Sequence, residues 1–247
     1  MIRNDFDAGV TEVSVHGTWN AELRALTAPN LRACLAETPR AVLVDLSGLV
    51  DPAGESVQTW RTAARFAATR RPVSQLVVCA APEPVRQRLD GTNLRSADSV
   101  GDARAAAKTP PWTNRRQLHL PCDLGAAALA RDLVADACHD WRMAQMIIPA
   151  RLIVSELVAN AVEHADTDLV AAVSLRGPVL HLAVRDYAMR MPRLIEHDPE
   201  RLATMIEQRG AGLRLVGRVS TGWGALPGTV GKIVWSTFDH CPGDDLS

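Results

Sequence analysis

The stretch LIVSELVANAVEHAD, Leu152–Asp166, decides how the second half of the chain is read. It holds no proline or glycine, and Leu152, Ile153, Leu157, Val158, Ala161 and Val162 recur at helical spacing. Pro149 stands just ahead of it, where a helix tolerates proline best. Glu156, Asn160 and His164 follow one another at intervals of four, so they share one helix face beside the apolar one. A carboxylate there can orient and deprotonate a nucleophile. An amide oxygen is a hard ligand suited to Mg²⁺. The same row also fits the solvated stripe of an ordinary amphipathic helix, and the helix alone leaves both readings open.

The sequence downstream adds chemistry. LVAAVSLRG and VLHLAVRD, Leu169–Asp186, read as two strands joined at Gly177-Pro178. The second strand ends on Asp186, a position from which a carboxylate can accept a hydrogen bond from an exocyclic amine such as that of adenine. An ordinary turn aspartate is the competing reading. RGAGLRLV, Arg209–Val216, places Gly210 and Gly212 ahead of a helix, where backbone N–H groups can face an anion. GKIVWSTF, Gly231–Phe238, closes the series as a strand. Other nucleotide motifs fail: GAGLRLVG has Leu215 where GxGxxG needs its third glycine, and GALPGTVGKI has Ile233 where a P-loop needs Ser or Thr.

The first half alternates strand and helix signals. TEVSVHGTW, AVLVDLSGLV and SQLVVCA read as strands, the last two as continuous apolar runs of the kind that lie buried. AELRALTAPNLRACLAE, ESVQTWRTAARFAATR and EPVRQRLDG read as helices, the first with a break or kink at Pro29. ADSVGDARAAAKTPPWTNRRQ is polar, rich in small residues and carries Pro110-Pro111, which predicts a linker, although DARAAAK could form a helical turn. The expected organisation is a domain over residues 1–97, a linker over 98–116 and a second domain over 117–240. The expected fold class is α/β and α+β: a mixed sheet with helices, then an α/β sandwich with helices on one sheet face.

Composition limits the function classes. The chain has 247 residues and a net charge of −1, which gives no electrostatic argument for nucleic acid or membrane. No uninterrupted apolar run reaches membrane-spanning length, and MIRNDFDAGV has no apolar signal core, so a cytoplasmic protein is expected. Five cysteines without CxxC spacing predict reduced thiols. ACHD, Ala137–Asp140, lacks the second ligand cluster that a zinc site needs.

ELVANAVEHA, Asp186, GAGL and GTVGKIVW occur in the order found in GHKL-type (Bergerat fold) ATP-binding domains. Over Leu118–Phe238 the sequence resembles the anti-sigma-factor serine-kinase branch of that family, in its actinobacterial form. The resemblance implies ATP and Mg²⁺ as cofactors and Glu156 as the catalytic base or water-orienting carboxylate. It implies Asn160 as the Mg²⁺ ligand, Asp186 for the adenine amine, and Gly210 and Gly212 on the phosphate side. His164 and Ala188 fall within the same cofactor-binding motifs. The family's DxGxG reads Asp186-Tyr187-Ala188-Met189-Arg190 here, and Ile233 replaces a customary hydroxyl, so weakened nucleotide binding is expected. A side chain in place of a left-handed glycine costs about 1 kcal/mol or more.

VSVHGTW and AVLVDLSGLVDPAGESVQTW, within residues 8–98, resemble a STAS domain, the anti-sigma-factor antagonist fold. Phosphorylatable members carry a DSSG-like junction. Here it is Asp51-Pro52-Ala53-Gly54, so Ala53 has no hydroxyl to accept phosphate, and Ser56 lies three residues on. Together the resemblances imply a cytosolic regulator of transcription by partner switching, with a sigma factor or a separate STAS antagonist as partner. They also imply contact between the chain's own STAS-like and ATPase-like halves, and they are compatible with a homodimer. An active serine kinase that phosphorylates a STAS protein in trans is the alternative.

Overall fold

The computed structural model describes residues 1–5, 8–70, 72–107, 114–188, 216–227 and 231–239. The fold is mixed α/β with two five-stranded sheets. The chain forms two compact units, one of Met1–Thr113 with Leu226–Thr229 and the other of Asn114–Ala225 with Val230–Ser247.

The first unit contains β1 (Ile2–Asp5), β2 (Val10–Thr18), α1 (Ala21–Ala36), β3 (Ala41–Val50), α2 (Val57–Thr69), β4 (Gln75–Cys79), α3 (Glu83–Leu89), β5 (Arg95–Ala97) and α4 (Val100–Ala106). Its strands lie in chain order; β1 runs antiparallel to β2, and β2 to β5 are parallel neighbours. Residues of β3 alternate between two cores. Val42, Val44 and Leu46 pack with Leu31, Leu35, Trp60 and Ala63 of α1 and α2. Ala41 and Leu43 pack with Val77, Cys79 and Ala103 of α4 on the other face. The apolar run in β3 is therefore explained by helices on both faces of a parallel sheet.

This corrects the linker. Residues 98–116 include α4 and the start of the next strand, and only 108–113 lie outside the described residues. Ser99 caps α4: its Oγ accepts from Asp102 N at 3.0 Å and donates to Asp102 Oδ2 at 2.6 Å. Arg104 then ties the helix to the sheet through Asp5 at 2.5 Å and Glu12 at 2.8 Å. Small side chains in DARAAAK look like linker composition, but they let a helix lie close on the sheet. Pro29 does not break α1, which runs through it from Ala21 to Ala36. Asn20 holds the start of that helix, its Oδ1 accepting from Leu23 N at 2.8 Å.

The second unit contains β6 (Arg115–Leu120), α5 (Ala126–Asp140), a 3₁₀ turn (Ala144–Met146), α6 (Ile147–Ala165), β7 (Leu169–Arg176), β8 (Val179–Asp186), β9 (Gly222–Pro227) and β10 (Lys232–Asp239). The strand order is β6-β7-β8-β10-β9, and β8 pairs antiparallel with both β7 and β10. Ala150, Ile153, Leu157, Val158 and Ala161 of α6 share a core with Ala130 and Val134 of α5 and with Leu182, Val184 and Val234 of the sheet. Ala144–Ala165 is long and apolar enough to cross a membrane by length and composition alone, though Arg151 and Glu156 interrupt it, and one face of it packs into this core. β9 escapes sequence reading because GWGALP carries two glycines and a proline, residues that strands avoid.

Candidate functional site

Helix α6 positions the polar row as its spacing predicts. Glu156 and Asn160 are half-buried at the margin of the packed face, while His164 is exposed. Asn160 Nδ2 is buried and makes no hydrogen bond among the described residues. The helix closes at Asp166, whose left-handed backbone (φ 49°) turns the chain into β7. Two residues of connection leave Leu169 directly opposite Asp186 in the sheet.

Asp186 therefore sits at the end of the sheet beneath the last turn of α6, a placement supported by Tyr187 N donating to Thr167 Oγ1 at 3.2 Å. Side chains alternate along β8, so Asp186 shares the core face with Leu182 and Val184. It is fully buried. Glu156 lies nine residues before the end of α6, roughly 13 Å along the axis at 1.5 Å per residue. Glu156 thus stands at the middle of α6, about two and a half turns before the helix end that leads to β7.

The partner of Asp186 is internal. Lys232, the first residue of β10, is its direct cross-strand neighbour. Lys232 Nζ donates to Asp186 Oδ1 at 3.0 Å and stands 2.8 Å from Oδ2, and both side chains are 1% exposed. Oδ1 accepts a second bond, from Ala188 N at 2.9 Å. Oδ2 has the ammonium at ion-pair distance but, among the described residues, no hydrogen bond. Gly231 makes the pairing feasible. Its φ is +73°, and a Cβ there would overlap the Asp186 carbonyl and the Tyr187 backbone.

These contacts test the expected nucleotide site. At its adenine end the residues do not fit, because the carboxylate assigned to the exocyclic amine is already held by an ammonium. Ala188 closes on that carboxylate through its own N–H. At the other end Glu156 and Asn160 have no hydrogen-bond or ion-pair partner among the described residues. Ile233 is buried on the sheet face opposite Lys232, paired across from Arg185. Gly210, Gly212 and Arg190 lie outside the described residues.

Lys232 is the residue at this carboxylate that sequence reasoning missed, although it left a signal. Lys232, Val234, Ser236 and Phe238 alternate onto one face, and a lysine on a face otherwise packed into the core requires an acid opposite it.

In the first unit, the strand-to-helix junction is built around Asp51. Its Oδ1 accepts from Glu55 N at 3.0 Å and its Oδ2 from Ser56 N at 2.8 Å, which fixes the start of α2. Pro52 and Ala53 project as an exposed turn, whereas Ser56 is fully buried. Ser56 Oγ accepts from Trp60 Nε1 at 3.0 Å, so its hydroxyl is spent inside the fold. Gly54 (φ +62°) lets the turn pass Pro84 O, which a Cβ would meet at 2.8 Å. Beside the turn, a groove of about 800 Å³ runs between α1 and α2, lined by Trp19, Arg24, Arg32, Glu55, Gln58 and Thr59 among others. Trp19, one of the lining residues, packs on Trp60 at 5.5 Å and 52°.

Three thiols are withdrawn from chemistry. Burial pushes Cys34 and Cys79 up to about 12 and Cys138 to about 11, from an ordinary value of 9.0. No family model matches the chain. None of the curated proteins matches it either.

Proposed function

We propose that the chain is a cytosolic partner-switching regulator of transcription, in which a STAS-like first unit and an anti-sigma-factor-like second unit act as protein-binding modules. The observation that carries this reading is the junction at Asp51–Ser56. It presents an exposed turn with no hydroxyl, and the nearest downstream hydroxyl is buried under Trp60. A STAS-like docking turn of this kind keeps its shape but cannot be switched by phosphate on its own residues. The neighbouring groove between α1 and α2 offers a partner further surface with both apolar and charged walls.

The second unit supports the same reading from the other side. It keeps the α6 row and the strand-end aspartate of the resemblance, but Asp186 is committed to Lys232. A binding role therefore has more support than a kinase role. The competing kinase reading rests on Glu156, a half-buried carboxylate without a partner among the described residues.

The test is interferometry of the full chain against purified sigma factors and STAS proteins from the same organism. The expected result is at least one partner bound with Kd below about 1 μM, and loss of transcription from promoters of a bound sigma factor. Ala53→Asp should weaken binding through the first unit by placing charge in the contact. Failure to bind any sigma factor or STAS protein overturns the proposal. Radiolabel transfer from ATP to a STAS protein, lost in Glu156→Ala, would establish the kinase instead.

A further inference from the structure

We infer that Lys232 is the built-in occupant of the strand-end carboxylate, so that the second unit does not read the 6-amino group of a purine through Asp186. The inference rests on reading this unit as a nucleotide-binding relative.

The geometry is restrictive at three points. First, Lys232 and Asp186 are a directly opposed cross-strand pair, so the ammonium is held there by sheet register and not by a flexible loop. Second, the register cannot slide by one residue without turning Lys232, Val234, Ser236 and Phe238 to the opposite face. Gly231 fits tightly against the Asp186 carbonyl at the entry to the strand. Third, the pair is closed off: Leu169 flanks Asp186 on the side away from Lys232, and it has no exposure.

The chemistry runs the same way. An adenine amine is a neutral donor, and it would compete for Asp186 with a charged donor already bonded to Oδ1. Oδ2 still has lone-pair capacity, but it is buried and lies 2.8 Å from the same ammonium. Displacing the lysine would leave an ammonium without its counterion in a position that is 1% exposed. The base end of the site is therefore self-satisfied, and partner binding proceeds without nucleotide selection. A nucleotide held only at the Glu156–Asn160 end would be held by its phosphates, with no preference between purines.

The deciding experiment compares Mg-ATP with Mg-ITP, which carries a carbonyl in place of the 6-amino group, by calorimetry on the full-length wild-type chain. The expected result is no discrimination: the two differ in affinity by less than about threefold, or neither binds at 1 mM. A preference for ATP of tenfold or more overturns the inference, and this outcome does not depend on any variant folding. Lys232→Thr frees Asp186. With its fold checked by circular dichroism, it should acquire a preference for ATP over ITP of at least tenfold, which Asp186→Asn in the same background should abolish. A folded Lys232→Thr chain that still fails to prefer ATP also overturns the inference. Wild-type binding to sigma factors and STAS proteins is measured separately. Partner binding without the gain in Lys232→Thr would remove the lock and leave the proposed function standing, whereas the gain without partner binding would do the reverse.

Discussion

Replacing Lys232 with methionine would leave the Asp186 carboxylate buried without its counterion. Breaking a buried ion pair by removing one member costs about 3–5 kcal/mol, because the remaining charge is stranded in low dielectric. The structure favours the upper part of that range, since Asp186 is 0% exposed and, among the described residues, keeps only the N–H of Ala188 as a donor. Removing both charges, with Asp186→Leu and Lys232→Met together, should recover most of the loss, because the face already carries Val184 and Val234. A chain of two units has no single well-defined unfolding free energy, so the assay should be local. Hydrogen exchange read by mass spectrometry on peptides covering 179–188 and 231–239 reports the opening of this seam alone. At 1.36 kcal/mol per decade, exchange in the single variant should be faster by roughly two to three and a half decades. The double variant should come back to within about one decade of wild type. Protection in Lys232→Met within fivefold of wild type, or a double variant as open as the single one, would refute the reasoning.

Three further outcomes are expected. Ser56→Asp forces a charge into a fully buried site and should lower the first unit's melting temperature by more than about 10 °C, while Ala53→Asp on the exposed turn should shift it by less than about 2 °C in scanning fluorimetry. A fragment ending at residue 97 should be poorly folded because it uncovers Ala41, Leu43, Val77 and Cys79, whereas one ending at 107 retains α4 and should give a dispersed NMR spectrum; equal spectra would make α4 dispensable. The buried thiols set an alkaline limit: their folded values are raised, so the stability they contribute is complete below pH 9 and is lost as pH rises from 9 towards 12. The first unit should therefore melt earlier at pH 10.5 than at pH 8, and Cys34→Ala with Cys79→Ala should flatten that dependence in thermal scans.

The elements with strong periodic signals are legible in the sequence alone. Helix α6, the β7–β8 hairpin and the β3 run announce themselves because burial on one helix face, or on both sheet faces, leaves a pattern along the chain. Elements whose residues are small or conformationally permissive are not legible. DARAAAK has too little apolar area to show a helical face, yet Ala103 is buried on the sheet in α4 and Arg104 bridges Asp5 and Glu12, residues about a hundred positions away in sequence. GWGALP carries no strand pattern, yet Gly224 is small because the Trp235 indole of the neighbouring strand needs the space: a Cβ there would lie 2.9 Å from the ring.

The candidate site divides along the same line. The sequence by itself determined the four-residue spacing of Glu156, Asn160 and His164, because helix geometry is local and needs only consecutive residues. It also determined that Asp186 ends a strand and that Ala53 lacks a hydroxyl. What only the tertiary structure decided is what those groups are free to do. Asp186 and Lys232 are 46 residues apart in the chain, and their contact exists because β8 and β10 pair in one particular register. Ser56 is close in sequence to the missing acceptor, but its burial depends on Trp60 folding over it against the first sheet. Local chemistry names the donors and acceptors; long-range packing determines which of them are already paired, since a buried charge or hydroxyl binds the nearest partner the fold supplies and then has little left for a ligand.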